Sequence, residues 1–175
     1  MLTLLLLRHA KSSWDHPLLD DFERPLAERG LKAAPLMGRY IAENDLKPEL
    51  VLCSSAKRTQ ATLDLVMPEL GAPPPAVCYD DQLYLAPASS LMAEIKRAPV
   101  RWQRVMLVGH NPGMHELAVQ FVGAGDATAR EALRAKFPTA ALAVITFAAV
   151  RWSELAPGAG HLSRFVTPAG LLRRG

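Results

Sequence analysis

The sequence predicts an α/β protein, a three-layer α/β/α sandwich on a mostly parallel central sheet. Three observations predict it. Strand-like apolar runs alternate with helical patterns through most of the 175 residues, the order that builds βαβ units. Several runs are continuously apolar rather than alternating, as in strands covered on both faces. And three runs stop abruptly at residues with chemistry to offer, on what would be the carboxyl edge of a parallel sheet, where ligands bind.

The first strand is read over residues 2–7, where Leu4–Leu7 run into Arg8 and His9. Residues 10–25 read as a long irregular loop, with Pro17, Pro25 and the carboxylates Asp15, Asp20 and Asp21 against regular structure. Loops of that length in compact domains are often functional. A helix follows from residue 26 or 27 to about 44, on the spacing of Leu31, Ala34, Met37 and Ile41. Pro35 lacks a backbone donor and predicts a kink or a later start.

The second strand is residues 49–53, and Ser54 and Ser55 stand where the next helix, to about 70, needs an N-cap. The Gly-Ala-Pro-Pro-Pro run at 71–75 breaks the chain before a short strand at 76–79. Residues 80–87 read as a loop and 88–97 as a helix. A strand at 103–108 ends at Gly109-His110-Asn111-Pro112, and a helix then runs to Phe121 before Gly123 and Gly125. Residues 126–136 read as a short helix or an ordered loop. Strands at 140–149 and 161–167 finish the chain.

The length and the lack of any linker or repeat predict one domain over residues 1–175. The formal net charge of +3 comes from scattered cations, with no basic run interleaved with aromatics, so nucleic acid is not an expected partner. Cys53 and Cys78 have no metal or disulfide spacing and read as two buried thiols in a reducing compartment. The N-terminal apolar run is too short for a membrane span and lacks the features of a signal peptide, so the expectation is a cytoplasmic protein with no membrane partner.

The strand ends carry the chemistry. Arg8-His9 closes the first strand. Ser54-Ser55 with Arg58-Thr59 follows the second, and His110 follows the fourth. If the strands are parallel, two histidines and two arginines surround one crevice. A transferring phosphoryl group spreads charge over its equatorial oxygens, and protein cations stabilise that charge. Arginine does so through a planar fork that stays charged. A neutral imidazole nitrogen is a competent nucleophile toward phosphorus. Isolated, each of these residues reads as a core histidine or a surface salt-bridge partner; their joint placement points to a site. No helical HExxH motif is present and no acid or thiolate flanks the histidines, so no metal and no other cofactor is expected.

The stretch Arg8-His9-Ala10-Lys11-Ser12-Ser13-Trp14-Asp15 resembles the RHG/RHA signature of the histidine phosphatase superfamily, branch 1, which has the phosphoglycerate mutase-like fold. The resemblance continues through Arg24-Pro25-Leu26, Glu28-Arg29-Gly30, Arg58-Thr59, Thr62 and Gly109-His110-Asn111-Pro112. Lys136-Phe137-Pro138-Thr139-Ala140 and Phe165-Val166-Thr167-Pro168 resemble its short, SixA-type members. It implies that His9 is the nucleophile, with Arg8, Arg58 and His110 completing a phosphate pocket. Arg24 matches a position that reaches the phosphate or organises the pocket, and Ser12 and Asp15 fall where mutase-branch members place substrate-contacting residues. Lys11 and Asp15 replace the glutamate and asparagine of the mutase pattern. The region after the third strand, Asp80–Leu85, lacks the mutase-branch glutamate. The candidate general acid is then Asp21, Asp81 or none.

The expected activity is metal-independent hydrolysis of a protein phosphohistidine through a phosphohistidine on His9. Its substrate would be a phosphorylated protein, such as a histidine phosphotransfer domain. A broad or small-molecule phosphomonoesterase is the alternative within the superfamily, and a non-catalytic phosphate-binding adaptor the alternative outside it.

Overall fold

A computed structural model describes residues 1–174. Its strands are β1 (Leu2–Arg8), β2 (Leu50–Ser54), β3 (Ala76–Asp80), β4 (Arg104–Gly109), β5 (Val122–Gly125), β6 (Leu142–Phe147) and β7 (Gly160–Val166). Its α-helices are α1 (Glu28–Glu43), α2 (Lys57–Val66), α3 (Ala88–Lys96), α4 (Gly113–Phe121), α5 (Ala127–Ala135) and α6 (Pro168–Leu172). The strands form one sheet in the order β3-β2-β4-β1-β6-β7-β5. β1 pairs parallel with β4, β4 with β2 and β2 with β3, while β6 runs antiparallel between β1 and β7.

The leucine run of β1 is explained by this position. Leu2, Leu4 and Leu6 pack with α3, α4 and α5 on one face. Leu5 and Leu7 pack with α1 and α2 on the other. All are buried between two helical layers, so the run is continuously apolar from Leu4 to Leu7 rather than alternating. The parallel strands bring the ends of β1, β2 and β4 to one edge, as expected. The reversed β6 starts at that same edge, because Leu7 lies opposite Leu142. The segment leading into β6, residues 136–141, therefore runs beside the end of β1. There the Ala140 amide donates to the carbonyls of Arg8 and His9 at 3.1 and 3.0 Å.

Several sequence expectations change. Pro35 sits inside an uninterrupted α1; burial of Ala34, Met37 and Ile41 outweighs one missing backbone bond. Ser54 does not cap α2, whose N-cap is Ala56. Cys78 is exposed, not buried, because β3 is the sheet's edge strand. β5 is a strand where the glycines suggested only a break. A Cβ on Gly123 would lie 2.0 Å from the Gly158 carbonyl oxygen, so close backbone approach, not chain punctuation, requires glycine there. Residues 127–135 are a helix, with the Asp126 carboxylate accepting from the Ala129 amide at 2.9 Å. No helix among the described residues is long and apolar enough to cross a membrane.

Candidate active site

The end of β1 is pinned from both sides before it presents a side chain. The His9 amide donates to the Gly109 carbonyl at 3.1 Å. The Ala10 amide donates to Thr62 Oγ1 at 2.9 Å, and Thr62 Oγ1 donates to the Arg58 carbonyl at 2.7 Å. One threonine thus fixes the chain after His9 against the helix that carries Arg58.

His9 Nδ1 lies 2.7 Å from the Ala10 carbonyl oxygen. A carbonyl only accepts, so the proton is on Nδ1 and the lone pair of the neutral ring is on Nε2. Burial, reinforced by the charges of Arg58, Arg8 and Arg24, pushes His9 down to about 4 against the opposing pull of the Ala10 hydrogen bond. The ring is therefore neutral near pH 7, and the surrounding arginines favour that state.

His110 stands with its ring centroid 5.3 Å from that of His9. Its Nε2 lies 2.8 Å from Ser54 Oγ, which also accepts from the Ala56 amide at 3.3 Å. Nε2 is the acceptor available to the Ser54 hydroxyl proton, and this places the ring's own proton on Nδ1. Burial, then the neighbouring His9 and Arg58, lower His110 to about 3. Its Nδ1 is buried with no acceptor in reach, as is Arg8 Nε. Arg8 Nη1 donates to the Phe137 carbonyl at 3.0 Å. Two unpaired buried donors beside a neutral histidine suit an incoming oxyanion.

Asp21 ties the remaining cations together. Its Oδ1 accepts from Arg24 Nη1 and its Oδ2 from Arg58 Nη2, both at 2.9 Å. Its carbonyl also accepts from Arg58 Nη1 at 2.6 Å. The Tyr84 hydroxyl donates to the same Oδ2. Burial pushes this carboxylate up, but the bonds from Tyr84, Arg24 and Arg58 outweigh it and hold Asp21 at about 2. Arg24 is itself fixed by Ser12 Oγ, by the Ser13 carbonyl and by the Trp14 ring, whose centroid lies 3.4 Å from the guanidinium carbon.

The structure thus brings Arg8, His9, Arg58, His110, Asp21, Arg24 and Ser12 into one connected cluster. It leaves Asp15 outside: the residue is exposed, and its carboxylate makes no hydrogen bond or ion pair among the described residues, although its amide bonds Ser13 Oγ at 3.1 Å. Asp81 is likewise exposed, at the start of a 3-10 turn after β3. Among the described residues no group of three or more His, Cys, Asp or Glu is gathered as for a metal ion.

A family model described as the histidine phosphatase superfamily, branch 1, matches residues 4–83. An uncharacterised protein of Mycobacterium tuberculosis, Rv1276c, is 34% identical over 164 residues, covering 93% of this chain and 99% of its own. The chain belongs to the histidine phosphatase superfamily. A phosphohistidine phosphatase candidate, SixA from Agrobacterium tumefaciens, superposes with a TM-score of 0.80 at 30% identity, covering 95% of this chain and 98% of that one. The protein histidine phosphatase SixA complexed with tungstate superposes with a TM-score of 0.76 at 20% identity over 97% of this chain and 99% of that one, a likeness of fold.

The cluster also includes residues that the sequence pattern does not single out. Tyr84 contacts Asp21 and packs edge-on against Phe22 and His110, with centroids at 4.9 and 5.4 Å. It sits in the region after β3 that lacks the mutase-branch glutamate, and that position was its only signal. Ser54 had the right type but the wrong role. The Phe137 carbonyl, which accepts from both Arg8 and Asn111 Nδ2, had no signal, since any residue carries one.

Proposed function

We propose that this protein is a metal-independent phosphatase that removes the phosphoryl group from a protein phosphohistidine, acting through a phosphohistidine on His9. The observation that carries the reading is the neutral His9 ring, with Nδ1 held by Ala10 and Nε2 unbonded, among Arg8, Arg58 and His110. Nε2 attacks phosphorus in line, and the phosphorus–nitrogen bond of the substrate breaks. Arg8, Arg58 and the His110 Nδ1 proton stabilise the equatorial oxygens. Water then attacks the phosphorus on Nε2, and the new phosphorus–nitrogen bond breaks to release orthophosphate. The proton kept on Nδ1 by Ala10 lets His9 leave as neutral imidazole in that second step.

The choice of phosphohistidine follows from where the departing group takes its proton. An alkyl phosphate needs a proton at the bridging oxygen, from an acid inside the site. Asp21, held at about 2, is ionised at neutral pH and is an anchor for Arg24 and Arg58 rather than that acid. A phosphohistidine leaves as neutral imidazole when the ring's distal nitrogen is protonated, away from the phosphoryl pocket. The site needs no built acid for that substrate. Cationic side chains supply the charge that a metal supplies elsewhere.

The test compares wild type and His9→Ala on a phosphorylated histidine phosphotransfer domain and on p-nitrophenyl phosphate. The expected results are an acid-labile phosphoenzyme in the wild type only, loss of about 10³-fold or more in turnover by His9→Ala, and full activity in EDTA. Survival of activity in His9→Ala would overturn the mechanism. Turnover of p-nitrophenyl phosphate alone would point to a small-ester phosphatase. A wild type that binds phosphate but cleaves nothing would be an adaptor.

A further inference from the structure

A cavity of about 490 Å³ lies apart from the phosphate pocket, between α1, α6 and the segment before β6. None of Arg8, His9, Arg58 or His110 lines it. Its lining is apolar at Ala33, Leu36 and Pro138 and carries Lys11, Arg29, Lys32 and Lys136 with no carboxylate. Among the described residues only Lys32 of these four has an ion-pair partner, the exposed Glu28 at 3.6 Å.

The cavity shares a wall with the catalytic pocket. Lys11 lies two residues after His9. The main chain of 137–140 bonds Arg8 and His9 on one side, through the Phe137 carbonyl and the Ala140 amide, and offers Pro138 and Thr139 to the cavity on the other. The two C-terminal motifs, Lys136–Ala140 and Phe165–Pro168, meet here through Lys136, Pro138, Thr139, Thr167 and Pro168. A phosphoester small enough to fit among Arg8, His9 and Arg58 lies on one side of this wall; a substrate extending over the wall reaches both.

We propose that this cavity docks an acidic segment of the phosphoprotein substrate, seating one apolar side chain of that segment on the apolar lining at Leu36 and Pro138 while the four cations meet its carboxylates. The proposal rests on the phosphohistidine reading and assigns the surface that recognises the protein around the phosphoryl group. Charge complementarity selects the occupant: an apolar lining that carries one sign of charge fits an amphipathic anion, and a protein substrate is the one that also reaches His9.

The experiment uses the full chain and two variants outside the catalytic cluster. Lys32→Glu/Lys136→Glu reverses charge at the walls; Ala169→Trp fills the cavity from α6 without changing charge. Each is assayed on a phosphorylated histidine phosphotransfer domain carrying an acidic surface helix, and on p-nitrophenyl phosphate. Docking predicts that kcat/KM on the phosphoprotein falls by about tenfold or more, mainly through KM, while the small ester is hydrolysed as by wild type. Unchanged phosphoprotein kinetics in both variants would overturn the docking role. So would equal losses on both substrates, which mark a structural effect. If wild type itself ignores the phosphoprotein and cleaves only the small ester, the phosphohistidine reading has failed, a distinct outcome. A small amphipathic anion as true occupant is tested with dodecyl phosphate: binding to wild type that both variants abolish, with phosphoprotein kinetics unchanged, would replace the proposal.

Discussion

Asp21→Asn separates an anchoring role from an acid role. The substitution keeps shape and removes charge, so Arg24 and Arg58 lose their shared carboxylate while the Asp21 carbonyl still accepts from Arg58 at 2.6 Å. Depression of Asp21 from its ordinary value near 4 to about 2 corresponds to about 2.5 kcal/mol at about 1.4 kcal/mol per unit. The side chain is 42% exposed, and solvent screening reduces the net contribution to about 1 kcal/mol. The expected loss in Tm is therefore about 2–4 °C at pH 7 for a chain of this size. The sign follows from linkage. A lowered carboxylate stabilises the fold above its unfolded value near 4, and that contribution disappears as pH falls through about 2. The Tm gap between wild type and variant should thus close in strong acid. In catalysis, a loosened Arg58 should lower kcat/KM by about tenfold through misplacement of the phosphoryl group. The decisive assay compares p-nitrophenyl phosphate with phenyl phosphate, whose phenolate is the poorer leaving group. Anchoring predicts the same loss on both esters. If Asp21 donates a proton to the leaving group, phenyl phosphate suffers far more, by a factor in the range of about 10²–10⁴, and the assignment of Asp21 as anchor is refuted.

Two further perturbations probe the ends of the same network. With His9 held at about 4, kcat/KM on p-nitrophenyl phosphate should show no loss attributable to His9 between pH 5 and 7 and should fall as pH drops through 4, because protonation consumes the Nε2 lone pair; an inflection near 6.5 would contradict a buried neutral ring. Both buried histidines bind protons more readily when unfolded, so Tm should also fall as pH drops from about 6.5 toward 4, and a flat Tm over that window would count against their burial. Gly30→Ala should destabilise α1, although alanine normally favours a helix by about 1 kcal/mol over glycine. The new Cβ would lie 2.3 Å from the Lys11 carbonyl oxygen, and relieving that overlap costs about 1–3 kcal/mol. Thermal unfolding checks this, and an unchanged or raised Tm would mean that the loop after His9 gives way freely.

The sequence by itself determined the sheet and the ends of its central strands. A run such as Leu4–Leu7 has few physical options, and the abrupt arrival of Arg8-His9, Ser54 and His110 after such runs marks one edge of a parallel sheet. Helix and strand periods are local properties, so they survive without knowledge of the rest of the chain. β5 escaped because Val122–Gly125 is too short to show a period, and its glycines answer to tertiary contacts, Gly123 to the close approach of Gly158 and Gly125 to a positive φ beside Leu162. Only the tertiary structure decided how the loops close over the strand ends. Asp21 meets Arg58 across 37 residues and Tyr84 across 63, while Arg8 reaches the Phe137 carbonyl across 129. None of these contacts follows a repeat, and the last uses a backbone carbonyl, which every residue shares. The last depends on the reversed β6, which returns residues 136–141 to the edge where β1 ends, and the first two on the loop of 10–25 folding over α2 and the turn after β3. That reversal makes the Phe137 carbonyl a partner of Arg8 and sets residues 136–139 beside the basic cavity.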